Sequence, residues 1–447
     1  MPSGPPAPGT SGGAPREALE ALLAAALASV DGAAVVRRQL SQGPDGRLVV
    51  AGEGVPEGAP ISLLAAGKAA LPMSRAFLEV AGPRVERGLV VCKDGHGGAL
   101  PGLASREASH PVPDARSEAA GRAAVALAAS ARADEVLVVL LSGGASALLS
   151  CPAPGLHQAD LAATTDLLLA SGADIEATNA VRKHLSAVAG GQLARAFRGG
   201  AIHLLAISDV PGDRLDVIGS GPCSPDTSSF ETAGRVVTSL GIEARLPAAV
   251  REHLAAGRRG ERAETPGPGD ASVAGVRARV VARNADALAA AAEAARGRGL
   301  HAVVDARPLA GEAAAAARSV VERARAAARG RPLVFLSGGE TSVRFERAGH
   351  GGRNQELALA AALAIEGEPG IALLAAGSDG TDGPTDAAGA FADGGSVTRG
   401  AARGVEAREA LAGHDSYTFW EAEGGLLRTG PTGTNVMDLV FVMLGGS

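Results

Sequence analysis

Short apolar runs separated by polar, glycine-bearing stretches set the rhythm of this chain. Residues 136–141, VLVVLL, are a continuous run of β-branched and leucine side chains, the pattern of a strand buried on both faces in a parallel sheet. The run passes into Ser142-Gly143-Gly144, then Ser146 and a renewed apolar pattern, so the order is strand, glycine turn, helix start. A turn of that kind aims backbone N–H groups at the place where an anion would sit. The same device returns at 332–343, PLVFLSGGETSV. Further short runs predict strands at 48–51, 61–66, 87–92, 202–207, 278–282, 302–304, 371–376 and 438–444. Helical spacing predicts helices at 16–40, 69–80, 117–132, 158–171, 175–193, 230–240, 285–298, 311–328 and 355–365. Residues 107–114 must be extended, because Pro111 and Pro113 forbid a continuous helix. Strands alternating with helices in this way imply an α/β protein with mostly parallel sheet.

A chain of 447 residues has room for two or three cores. Residues 255–274, rich in Gly and Arg with two prolines, are expected to be a linker between an N-terminal domain over 16–254 and a C-terminal one over 275–447. Residues 1–15 read as a disordered tail, with neither the basic nor the apolar region of a secretory signal. The net charge of −6 argues against a general binder of nucleic acid or anionic membrane. No apolar run approaches the ~20 residues of a membrane span. Cys92, Cys151 and Cys223, widely spaced and odd in number, suggest reduced thiols in a cytoplasmic protein. Only Lys68, Lys93 and Lys183 stand as lysine among 42 basic residues, all in polar or glycine-bearing motifs. A lysine kept against such an arginine bias marks a place for a compact ammonium; chance retention is the alternative.

Ligands on open α/β sheets bind beyond the carboxyl ends of the strands. Those ends carry Gly67-Lys68, residues 142–146, 208–213, 337–341 and 377–386. Together they point to a phosphate-handling enzyme; singly, each is an ordinary turn. Lys68 is not in a P-loop, since residue 69 is Ala and GxxxxGK[ST] is absent. No GxGxxG fingerprint opens a helix, which weighs against an NAD enzyme, and no GxSxG accompanies Ser142 or Ser146. Lys68 can meet phosphoryl oxygens, or be an exposed helix-start lysine. Arg353, in GGRNQE at a helix start, suits bidentate bonds to a carboxylate or phosphoryl group, or ordinary capping. Asp209 and Asp213 flank a Pro-Gly turn where carboxylates can hold Mg²⁺. Asp379, Asp382 and Asp386 suit a hard cation or a hydroxyl, although loop aspartates often only make Asx turns. His110 reads as a structural hydrogen-bonding residue.

The motifs AAGKAA (65–70), VVCKDGHG (90–97), ASHPVPD (108–114), LLSGGASALL (140–149) and NAVRKHLSAVAGGQLA (179–194) are followed by ISDVPGDRLDVIGSGP (207–222), LSGGETSV (336–343), GGRNQELAL (351–359) and AAGSDGTDGPTDAAGA (375–390). In that order they resemble the class II glycerate 2-kinases, whose C-terminal half is the MOFRL domain. Ala145 stands where a third glycine is common and Cys92 where threonine is common. The resemblance implies a Rossmann-like N-terminal domain, a smaller MOFRL-type domain and an active site in the cleft between them. It implies ATP- and divalent-metal-dependent phosphorylation of D-glycerate on its 2-hydroxyl, with Lys68 and Arg353 catalytic. In that frame ATP is expected on Ser142, Gly143, Gly144, Ser146, Lys183, Asp209, Asp213, Ser220 and Gly221, with Mg²⁺ on Asp209 and Asp213. Glycerate is expected near Ser337, Gly338, Gly339, Glu340, Asn354, Glu356, Asp379 and Asp382. The partners are then small molecules, with no nucleic acid and no membrane, and a homodimer is an expectation that no residue pattern decides. The rival readings are a hydroxypyruvate reductase, opposed by the missing dinucleotide fingerprint, and a non-catalytic sugar-phosphate sensor.

Overall fold

The computed structural model describes residues 13–43, 46–344 and 349–445. Residues 1–12 of the expected tail lie outside the described residues, and 13–15 open the first helix, Gly13–Ser29. The chain forms two compact units. One comprises Gly32–Ala282 with Gly433–Asn435; the other comprises the residues up to Asp31, Arg283–Thr432 and those from Val436 onward.

The first unit opens with β1 (Leu40–Gln42), β2 (Leu48–Val50) and β3 (Glu53–Gly54), a small antiparallel sheet. Its main sheet consists of β4 (Ile61–Ala66), β5 (Val85–Lys93), β6 (Ala104–Ala108), β7 (Val136–Leu141), β8 (Ala201–Ile207) and β9 (Val276–Ala282). All neighbours are parallel, in the order β6-β5-β4-β7-β8-β9. The chain starts at the centre, winds outward to β6, then crosses back to build the other half. This is the doubly wound order, with its switch point between β4 and β7. Both strands are buried at every position, which explains why neither alternates in polarity. Ala66 pairs with Leu141, so Gly67 and Ser142 leave the sheet side by side.

The expected linker at 255–274 is instead part of this unit. The helix Ala248–Arg258 enters it, and the Glu264 carboxylate accepts the Phe230 N–H. Buried Thr265 donates to Asp226 at 3.0 Å, while Arg195 donates to the Glu264 carbonyl and the Asp270 carboxylate. Its loop composition reflects a lack of regular structure, not a lack of packing. The strand β9, expected in the C-terminal domain, completes the first sheet. The helix expected at 16–40 is two helices, Gly13–Ser29 and Gly32–Gln39, which fall in different units.

The second unit's sheet consists of β10 (Ala302–Val304), β11 (Leu333–Gly339), β12 (Ile371–Gly377), β13 (Gly389–Asp393), β14 (Leu426–Leu427) and β15 (Asp438–Leu444), in the order β10-β11-β15-β12-β13-β14. Only β10 and β11 pair in parallel; β15 runs antiparallel between β11 and β12. This mixed sheet departs from the parallel rhythm expected. In its register Asp438 lies opposite Gly339 on one side and Gly377 on the other. The amino end of β15 therefore sits between the carboxyl ends of its two neighbours. Buried Leu357, Phe419, Trp420 and Val442 anchor the core on one face. Among the described residues no single helix is long and apolar enough to cross a membrane.

Candidate active site

In the first unit the switch point holds Lys68 against the glycine turn. Gly67 has φ +125°, and a Cβ there would run into the Ser142 hydroxyl and backbone. That close approach lets the Lys68 N–H donate to the Gly143 carbonyl at 3.0 Å and the Ala69 N–H donate to Ser142 Oγ at 2.9 Å. The Ser142 hydroxyl thus caps the start of the helix Ala70–Ala81, whose own Ala69 has no capping side chain. Gly143 is equally constrained, since a Cβ would overlap the Asn435 amide and the Asp209 carboxylate. Gly144, at φ +90°, lies against the His110 ring. Among the described residues the Gly143 and Gly144 N–H groups have no acceptor. The helix that follows is a single turn, Ala145–Leu148, and so contributes little macrodipole.

Around this turn Ser146 Oγ lies 2.8 Å from Ser220 Oγ, and Asn435 Nδ2 donates to Asp209 Oδ2 at 3.2 Å. Ser220 and Gly221 present their carbonyls to the Gly190 and Gly191 N–H groups at 2.9 and 2.8 Å, a scaffold for the tight turn there. Asp213, at φ +54°, closes a turn on the Val210 carbonyl. Lys183 is 4% exposed, with Nζ 3.3 Å from Asp226 and 3.7 Å from Asp216. Its ammonium is committed to a buried ion pair, which by itself accounts for a lysine at this position. No group of three or more His, Cys, Asp or Glu forms a ready metal cage among the described residues.

In the second unit Arg353 opens the helix Arg353–Ala364. Its Nε and Nη2 grip the two Asp438 oxygens at 2.7 and 3.0 Å, and Nη1 meets Glu340 at 2.6 Å. Asn354 Nδ2 adds a 3.0 Å bond to Asp438, and Asn284 Nδ2 holds the Asp438 carbonyl at 3.0 Å. Asp382 accepts the Asn354 and Gln355 N–H groups at 3.0 and 2.8 Å, capping the helix from a neighbouring loop. Gly352 makes room for it, because a Cβ would strike that carboxylate. Burial pushes the Asp382 carboxyl up to about 7 against the pull of the two N–H groups. Burial also raises Asp438, opposed by Arg353. Burial would lower Arg353, but Asp438 and Glu340 overcome it and hold its pKa raised.

The structure thus brings Arg353, Glu340, Asn354 and Asp382 together. Ser337 is buried near the end of β11 with an unpartnered hydroxyl, and Gly338 and Gly339 pack tightly on Asn284 and Leu309. Glu356 instead pairs with His414 at 2.8 Å, and Asp379 turns back on Thr381 in an Asx turn. Asp386 holds Tyr417 and Arg428. The residue sequence reasoning missed is Asp438. Its signal was one carboxylate opening the otherwise apolar run DLVFVML.

A doubly wound sheet with a lysine and two glycine N–H groups at its switch point, joined in one chain to a mixed α/β unit carrying an arginine–carboxylate cluster, defines a two-unit α/β enzyme that handles anionic substrates. Comparison with known proteins makes the assignment specific. Residues 18–255 match the family model described as a domain of unknown function, DUF4147, and residues 333–438 match the MOFRL family. The chain is 39% identical to a Pyrococcus horikoshii protein named glycerate 2-kinase, over 90% of this chain and 91% of that one. An Agrobacterium vitis protein bearing the name hydroxypyruvate reductase is also 39% identical, over 96% of this chain and 94% of the other. The crystal structure of glycerate kinase from Thermotoga maritima superposes with a TM-score of 0.82 at 35% identity, covering 96% of this chain and 99% of that one. The chain belongs to the family of glycerate 2-kinases built from a DUF4147 domain and a MOFRL domain.

Proposed function

We propose that this protein transfers the γ-phosphoryl group of ATP to the 2-hydroxyl of D-glycerate, giving 2-phosphoglycerate and ADP. The observation that carries the reading is Lys68, its backbone N–H fixed at the switch point by the Gly143 carbonyl, beside two glycine N–H groups that have no acceptor among the described residues. Relatives named glycerate kinase across nearly the whole chain support it. Phosphoryl transfer demands positioning and charge neutralisation more than covalent chemistry. We assign the Gly143 and Gly144 N–H groups to nucleotide phosphate oxygens and Lys68 to the group in transfer. Arg353 is assigned to a phosphoryl group or to the glycerate carboxylate. Asn354 and Asp382 act on Arg353 by holding its helix start.

Mg²⁺ is usually held by one or two carboxylates together with substrate phosphates, so a preformed cage is not required. Asp209 and Asp213, on the loop after β8, are the side chains whose chemistry fits it. The metal would neutralise phosphate charge there. Chelation with EDTA is expected to abolish turnover, and added Mg²⁺ to restore it, with the circular dichroism spectrum unchanged. Three buried free cysteines support placing the enzyme in the reducing cytoplasm.

The test is NMR identification of the product formed from D-glycerate and ATP. Growth of the 2-phosphoglycerate signal is the expected result. NADH oxidation with hydroxypyruvate by the same sample, without ATP consumption, would replace the kinase by a reductase.

A further inference from the structure

The helix Ile175–His184 presents three kinds of surface. Val181, together with Leu185 just beyond the helix end, enters an apolar core with Phe230 and Leu254. Lys183 turns into its ion pair with Asp226 and Asp216. Thr178 and Arg182, four residues apart and therefore neighbours on one face, have no such partners. Thr178 is 3% exposed, yet its hydroxyl makes no hydrogen bond among the described residues. Arg182 is half-buried, and its guanidinium has no ion pair or hydrogen bond among the described residues. Burial lowers its pKa, with no anion alongside to offset the loss.

A guanidinium partly withdrawn from water without a counter-charge, near a buried hydroxyl without a partner among the described residues, is costly for the protein alone. The cost is recovered when an anion arrives, since a guanidinium offers two parallel donors and the hydroxyl a third. Another side of the same helix is tied to the loop that follows β8. Glu176 of the same helix holds Arg214, five residues beyond Asp209 on the loop that follows β8.

We propose that Thr178 and Arg182 form an anion-binding subsite that receives a phosphate or carboxylate group of one of the two substrates. This places the binding cation of the 179–184 segment on Arg182, one residue before the lysine its sequence suggests. The inference deepens the kinase reading and rests on it for the identity of the ligands.

The experiment measures dissociation constants of ATP, D-glycerate and inorganic phosphate by calorimetry, with melting temperature and turnover, for the wild type, Arg182→Gln and Thr178→Val. Arg182→Gln is expected to weaken one substrate by about ten-fold or more, the worth of a charge-assisted pair. Loss confined to ATP and phosphate identifies phosphate; loss confined to D-glycerate identifies the carboxylate. Both variants should melt at or above the wild-type temperature without ligand, because one removes a partly desolvated charge and the other a buried hydroxyl without a partner among the described residues. Dissociation constants within two-fold of wild type for all three ligands overturn the subsite, as does a lower melting temperature with unchanged affinities. Should Arg182→Gln fail to fold, Thr178→Val decides alone. A wild type that turns over D-glycerate while both variants bind normally sinks only the subsite. A wild type without kinase activity sinks the kinase reading, and inorganic phosphate binding then judges the subsite.

Discussion

Arg353 can neutralise a phosphoryl group only with the donors its partners leave. Among the described residues Asp438 takes two of its five N–H groups and Glu340 one, so two remain. The two partners differ: Asp438 is 1% exposed and Glu340 lies at the surface. Glu340 is thus the more easily displaced partner, while Asp438 holds the fork in place. Removing either proposed catalytic cation, in Lys68→Ala or Arg353→Ala, is expected to lower kcat/KM by about 10³-fold or more in a coupled ADP-release assay. Lys68→Arg should not restore it, because a planar guanidinium fork does not replace a compact ammonium as a point charge. Near wild-type turnover in both alanine variants would end the assignment. Asp438→Ala leaves Arg353 facing only Glu340 and should cost about 3–5 kcal/mol in urea unfolding, the usual effect of breaking a buried pair from one side. A loss below about 1 kcal/mol, the worth of a surface ion pair, would show that the pair is solvated.

At the scale of elements, two tight approaches organise the chemistry. The turn after β7 fits against the turn after β4 because Gly67 lacks a Cβ atom, and Asn435 and Asp209 close on the same turn because Gly143 lacks one. Gly143→Ala must push Asn435 and Asp209 aside, and a displacement of about 1 Å at such a turn is expected to cost about 10²-fold in kcat/KM. Steady-state kinetics on the folded variant reads this directly, and unchanged kinetics would remove the turn from the site. In the second unit β15 carries Asp438 between two strand ends. An apolar run announces a buried strand but not its direction or its neighbours, so 438–444 was legible as a strand and Asp438 was not legible as Arg353's partner. The expected linker failed similarly. Gly, Arg and Pro report irregular backbone, whereas its attachment comes from Thr265 and Glu264 reaching residues some 34–39 positions earlier.

For the whole molecule, buried carboxylates set the pH response. The Asp382 carboxyl rises from 3.8 to about 7, mainly through burial. An acid whose folded pKa is raised contributes stability below its unfolded value and loses it as pH climbs through the folded one. Asp270, lowered to about 2 chiefly by its Ser272 hydrogen bond, acts below that window. Melting temperature is therefore expected to fall with an Asp382-dependent slope between about pH 4 and pH 7, and Asp382→Asn should flatten it. An identical slope in the variant would show that Asp382 titrates normally.

The sequence by itself determined the class of the protein, most of its strands and helices, and the glycine loops on which the proposed site is built. Apolar runs, glycine turns and motif order are local properties, and local patterns are what a chain displays when read along its length. Tertiary structure alone decided which loops meet, that β9 completes the first sheet and the opening helix joins the second unit, and which charges are spent. Lys183 and Arg353 look alike in sequence as cations in polar motifs; one is closed in a buried ion pair and the other keeps two donors. That difference depends on Asp226 and Asp438, which lie 43 and 85 residues away and become neighbours only through folding.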